Sequence, residues 1–131
     1  MNPQQQQIGI LLFAHGARDS RWAEPFQRVA ARLQDQAPEL PLELAFLEFM
    51  TPDLSEAARR LAARGATSIS VVPLFLGQGG HLRSGLPELV ARAMAQLPGV
   101  RIEVGAAAGE DPGVVAALAQ YALQCARASR P

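Results

Sequence analysis

Two histidines occur in this 131-residue chain, and each closes an apolar run: His15 in GILLFAHGARD and His81 in ISVVPLFLGQGGH. A neutral imidazole binds a divalent transition metal or accepts a proton near neutral pH. Glu48, at the end of LELAFLE, adds a carboxylate. Two imidazoles and one carboxylate around an ion leave coordination positions open, as a catalytic or metal-transferring site requires and a closed structural site does not. Arg18 and Arg21 follow the first histidine, and Arg83 follows the second. By themselves they read as ordinary solvated surface, where one exposed ion pair contributes only ~0.2–1 kcal/mol.

The elements that must position these residues are legible in order. Residues 1–7 read as a disordered polar tail and residues 8–128 as one domain. Ile8 to Ala14 is short and continuously apolar, the pattern of a strand buried on both faces. Trp22, Phe26, Val29 and Leu33 recur at helical spacing, with Pro25 in the first turn where its missing N–H costs little. A second strand runs from Leu42, alternating as far as Glu48. Thr51 and Pro52 predict an N-cap and first position for a second helix through Leu54, Ala58 and Leu61, ended by Gly65.

The third strand runs from Ile69 to about Leu76, with a bulge or an early end to pairing at Pro73. The glycines at 77, 79 and 80 place His81 in the loop that follows. Leu86, Leu89, Val90, Ala93, Met94 and Leu97 form the third helical stripe. Val100, Ile102 and Val104 alternate as a half-exposed fourth strand. Asp111 and Pro112 open a last helix buried through Val115, Leu118, Ala122 and Cys125.

Four strand–helix repeats with short connections predict a three-layer α/β domain with a four-stranded parallel sheet and helices on both faces. The first and third strands are apolar throughout and belong in the centre, while the alternating second and fourth belong at the edges, giving the order 2-1-3-4. The direction of winding then reverses between strands one and three, which opens a crevice at their carboxyl ends. Neighbouring strands lie about 4.8 Å apart, so histidines on adjacent strand ends can reach one ion.

Composition narrows the functions. Twelve basic residues balance twelve acidic ones, which argues against a nucleic-acid or membrane partner. Cys125 is the sole cysteine, so neither an intrachain disulfide nor a cysteine zinc cluster is possible. No apolar run reaches a membrane span and MNPQQQQ lacks the regions of a secretory signal, so the expected location is the cytoplasm. The absence of GxxxxGK[ST] argues against nucleotide use, and the absence of GxSxG against a serine hydrolase.

FAHGARD, then FLE, then PLFLGQGGH resembles the small single-domain class II chelatases of the CbiX and SirB type, the sirohydrochlorin cobaltochelatase and ferrochelatase family, over roughly residues 8 to 125. The resemblance implies ATP-independent insertion of Co²⁺, Fe²⁺ or Ni²⁺, as substrate, into a tetrapyrrole polycarboxylate. It implies His15 and His81 as metal-binding and proton-accepting residues and Glu48 as the acidic residue of the site, with Arg18, Arg21 and Arg83 as candidates for the substrate carboxylates. It also implies a homodimer, since double-length relatives carry two such domains; Leu82 and Leu86 are candidate contacts. The family pattern has an aspartate four positions after the second histidine, where this chain has Gly85. That departure bears on substrate and metal range, and sets a non-catalytic metal-binding or metal-delivery protein beside the enzyme as the alternative.

Overall fold

The computed structural model describes residues 7–77 and 79–129, with the backbone alone for residues 80–84. Strand β1, Ile8–Ala14, pairs in parallel on one side with β2, Leu42–Phe46, and on the other with β3, Ser68–Pro73. β4, Arg101–Val104, pairs with β3, so the sheet has the predicted order β2-β1-β3-β4. β1 lies inside with both its faces largely covered, and β3 lies inside with one face buried while Ser70 on the other is exposed. Leu11 and Phe13 on one face, and Ala14 on the other, are all 0 % exposed.

The two faces are filled differently. Helices α2, Leu54–Ala63, and α3, Gly80–Gln96, pack side by side over one face. There Leu11, Phe13, Ala45, Ile69, Val71 and Ile102 meet Leu54, Leu61, Leu86 and Val90 in the main core. Each Leu, Ile, Val or Phe side chain among them, removed from water, stabilises the fold by about 1.5–3 kcal/mol. Gly9 lets α2 approach β1 closely, since a Cβ there would sit 3.1 Å from the Ala66 Cβ and 3.3 Å from a Leu61 methyl. On the other face, α1, Glu24–Gln36, packs on β2. Its cluster is smaller: Ala14, Ala23 and Phe46, with Trp22, Phe26, Leu44 and Met50 around them.

Local details depart from the sequence reading at identifiable points. Gln7, assigned to the tail, accepts from the N–H groups of Thr67 and Ser68, so it extends the chain's order towards the sheet; residues 1–6 lie outside the described residues. Trp22 belongs to a 3-10 turn, Ser20–Ala23, ahead of α1, and Val29 is 46 % exposed because α1 covers little more than β2. Asp53, rather than Thr51, caps α2: its carboxylate accepts from Glu56 N–H at 2.8 Å, while Thr51–Pro52 is a cis peptide in the preceding turn. Gly65 ends α2 with φ +100, as expected of a C-terminal glycine. β3 stops at Pro73, as its missing donor predicts.

The largest correction concerns α4, Pro112–Ala128. Its cap is as predicted, with Asp111 accepting from Gly113 and Val114 N–H. Its stripe is not buried: Val115 and Leu118 are 51 % and 45 % exposed, and Cys125, expected in the core, is exposed. The sheet face left open by α1 offers Ser68, Ser70, Arg101 and Glu103 beside Ile8, a largely polar surface on which an apolar helix gains little by docking. No helix among the described residues is long and apolar enough to cross a membrane.

Candidate functional site

The carboxyl end of the sheet gathers the predicted residues because pairing continues beyond the strands. Leu47 N–H donates to the Ala14 carbonyl at 2.9 Å, and Glu48 N–H donates to the His15 carbonyl at 3.1 Å. His15 and Glu48 are therefore tied together through the backbone, one residue and two residues past their strands; Glu48 lies in the turn after β2 rather than at the strand's end. Gly16 makes this possible. It has φ +88, and a Cβ there would overlap the Glu48 carbonyl oxygen, so only glycine permits the two loops to lie this close. Both His15 and Glu48 are exposed and so open to a ligand.

The third loop passes beneath the first. Leu74 N–H donates to the Phe13 carbonyl at 2.8 Å, and Phe75 follows it into the core, 6 % exposed. The Phe75 ring meets His15 edge-on, with centroids 5.2 Å apart, and meets Phe13 at 6.1 Å. Phe75 thus gives the imidazole a rigid floor, a positioning role that the sequence reading missed. Its signal was present: an aromatic residue two positions beyond a strand-ending proline, on the chain leading to the second histidine.

Of the arginines, Arg18 lies over the ring of Phe49, its guanidinium carbon 4.9 Å from the centroid, and so reaches the loop that carries Glu48. Phe49 is 58 % exposed with φ +66, a conformation uncommon for an aromatic residue. Arg21 instead turns back on Asp19 at 3.2 Å, with 81 % of its side chain exposed. The Arg21 guanidinium, and then its backbone N–H, hold the Asp19 carboxyl below its ordinary range. The backbone of His81 and Arg83 lies in the first turn of α3, not in the expected loop, because the helix begins six residues before Leu86. Their side chains, and that of Leu82, lie outside the described residues. Leu86, the other candidate for a subunit contact, is 4 % exposed and belongs to the main core. Among the described residues, no three His, Cys, Asp or Glu side chains form a group able to hold a metal ion.

Comparison with known proteins agrees with this architecture. The CbiX family model matches residues 9–125. A sirohydrochlorin cobaltochelatase from Sulfurisphaera tokodaii is 29 % identical over 121 residues, covering 92 % of this chain and 96 % of that protein. The crystal structure of a CbiX protein from Marinobacter aquaeolei superposes with a TM-score of 0.83 at 30 % identity, covering 93 % of this chain and 99 % of the other. The SirB sirohydrochlorin chelatase from Bacillus subtilis, solved in complex with cobalt, superposes with a TM-score of 0.77 at 30 % identity; the match takes in 88 % of this chain and 49 % of that longer one. With the family model matching nearly the whole sheet-and-helix unit, and with its order and strand-end histidine in place, the chain belongs to the CbiX family.

Proposed function

We propose that this chain is a sirohydrochlorin chelatase that inserts a divalent metal, with Co²⁺ the first candidate and Fe²⁺ and Ni²⁺ the others, without a nucleotide. The observation that carries this reading is the backbone pairing of His15 with Glu48 at the carboxyl end of β1 and β2, in a chain of the CbiX family. Insertion exchanges two pyrrole N–H protons for one metal ion. The protein must therefore loosen the metal's water shell, hold the macrocycle against the metal, and take up protons. His15 and His81 are metal ligands or proton acceptors in this reading, and Glu48 supplies an acidic group that binds the metal or collects a proton. Arg18, Arg21 and Arg83 orient the substrate's carboxylates by charge. The cytoplasm and a homodimer belong to the same reading.

The test is to follow the tetrapyrrole absorption spectrum as purified protein, sirohydrochlorin and each of Co²⁺, Fe²⁺ and Ni²⁺ are mixed. Insertion well above the uncatalysed rate is expected, with a loss of at least about 100-fold, or about 2.7 kcal/mol of barrier, in His15→Ala. Tight Co²⁺ binding by calorimetry with insertion no faster than in protein-free buffer would support metal delivery in its place.

A further inference from the structure

Two of the three most exposed large apolar side chains among the described residues stand in the loops that build the site: Leu76, 71 % exposed, and Phe49, 58 % exposed. Phe49 directly follows Glu48 after β2, and Leu76 directly follows Phe75, the floor of His15, after β3. β1 runs between those two strands, so the loops of Phe49 and Leu76 flank the loop of His15. Exposed apolar residues scattered singly need no explanation, but two that flank one site do.

Both loops are pinned while these side chains are left in water. Phe46 N–H donates to the Pro52 carbonyl at 2.9 Å, closing the turn that carries Phe49, and Glu48 N–H ties the preceding residue to His15. Phe49 itself holds φ +66, which glycine adopts freely and an aromatic residue only under strain. The shape of the turn therefore gives no reason for a phenylalanine there. On the other side, the 3-10 turn Ala108–Glu110 braces the β3 loop: Gly109 N–H donates to the Phe75 carbonyl at 2.8 Å, and a Cβ on Gly109 would overlap the Leu76 carbonyl oxygen. The rim is cationic, because the Arg18 guanidinium lies over the Phe49 ring. A ring face attracts that cation without neutralising it, so its charge stays available to an anion.

We propose that Phe49 and Leu76 are the apolar walls that seat the macrocycle beside His15 and Glu48, with Arg18 held on the Phe49 ring to meet one of its carboxylates. The ligand that fits such a surface is flat, apolar on its faces and anionic at its rim. A hydrated metal ion has no use for either wall, whereas a tetrapyrrole polycarboxylate uses both and the cation between its loops. Because the backbone of each wall is fixed before the ligand arrives, little binding energy is lost in ordering it. This assignment rests on the chelatase reading and names side chains for its organic substrate. Its test therefore separates binding of the macrocycle from binding of the metal.

Metal-free sirohydrochlorin is titrated into the full chain and followed by its absorption spectrum, with Co²⁺ binding measured separately by calorimetry. Phe49→Gly and Leu76→Gln should each weaken sirohydrochlorin binding at least about 10-fold and leave Co²⁺ affinity within about twofold. In insertion assays KM should rise with kcat nearly unchanged, since a wall that holds substrate and transition state alike contributes uniform binding. Phe49→Tyr, which keeps the ring, should bind as the unaltered chain does. Phe49→Gly relieves the left-handed strain and Leu76 lies mostly in water, so both variants should unfold at denaturant midpoints close to that of the unaltered chain. Sirohydrochlorin affinity unchanged in either variant would overturn the walls and leave the chelatase reading standing. A parallel loss of Co²⁺ affinity would also overturn them, because the two residues would then shape the metal site instead of seating the macrocycle. An unaltered chain that bound Co²⁺ but not sirohydrochlorin would bring down the chelatase reading, and the walls with it.

Discussion

At the scale of single residues, the site depends on a glycine as much as on the groups with chemistry. Gly16 lets His15 and Glu48 share a backbone hydrogen bond, and it does so in a left-handed conformation without space for a side chain. Gly16→Ala is expected to destabilise the chain by at least ~2 kcal/mol, combining backbone strain with displacement of the Glu48 loop. Gly65→Ala is the control: it shares the positive φ but meets nothing within 4 Å, so it should cost only ~1–2 kcal/mol. Denaturant midpoints of the two variants check the ordering, and equal midpoints would mean that the Glu48 contact carries no weight. Asp19 supplies a pH-dependent counterpart. Its carboxyl is held below the ordinary range by Arg21, so the stability it contributes is present above its unfolded pKa of about 3.9 and is lost as pH falls through the lower folded value. Asp19→Asn should therefore melt slightly earlier than the unaltered chain at pH 7, with the difference shrinking as pH is taken below the ordinary carboxylate range. The contribution is small because the pair is solvent-exposed.

At the scale of elements, caps and breakers set where the helices begin. Thr51 had the right chemistry for a cap, but Asp53 takes the role two residues on, and its carboxylate accepts the Glu56 N–H. α3 starts at Gly80, so Pro87 sits inside the helix instead of opening it, and Gly85 occupies its second turn. A Cβ at Gly85 would meet nothing within 4 Å. Gly85→Asp, which restores the acidic residue of the family pattern one turn on from His81, should therefore fold normally and shift stability by no more than ~0.5 kcal/mol. It should also lower the Co²⁺ concentration needed for half-maximal insertion. An unfolding midpoint lowered by more than ~1.5 kcal/mol would show that the position is crowded.

At the scale of the whole molecule, α2 and α3 bear most of the packing and α1 a smaller share. Leu61 shows the difference. It is 0 % exposed and lies under β1, within 3.3 Å of the place a Gly9 side chain would take. Leu61→Ala should cost about 2–5 kcal/mol, with the denaturant slope unchanged. A loss below ~1 kcal/mol would mean that the space collapses and the main core is looser than its burial indicates. On the rim of the same helix, Arg60 and Arg64 reach Glu43 of β2 at 3.4 Å, pairs too exposed to rival this packing.

Much of this was legible in the sequence because it rests on local patterns. The apolar run of β1, against alternation in β2 and β4, was enough to place it centrally, since a strand covered on both faces carries few polar residues on either; β3 also lies inside, although Ser68 and Ser70 leave one of its faces polar and open. Asp111 with Pro112, and Gly65, marked helix ends by backbone chemistry that needs no distant partner. His15 and Glu48 were readable as neighbours once the strand order was known. The tertiary structure decided what depends on contacts across the chain. The floor that Phe75 gives His15, the overlap that requires glycine at position 16, and the seat of Arg18 on Phe49 each join residues from different loops. α4 marks the limit most clearly. Its composition is that of a buried helix, but burial needs a matching surface, and the open face of β3 and β4 presents serines and the Arg101–Glu103 ion pair in place of an apolar one.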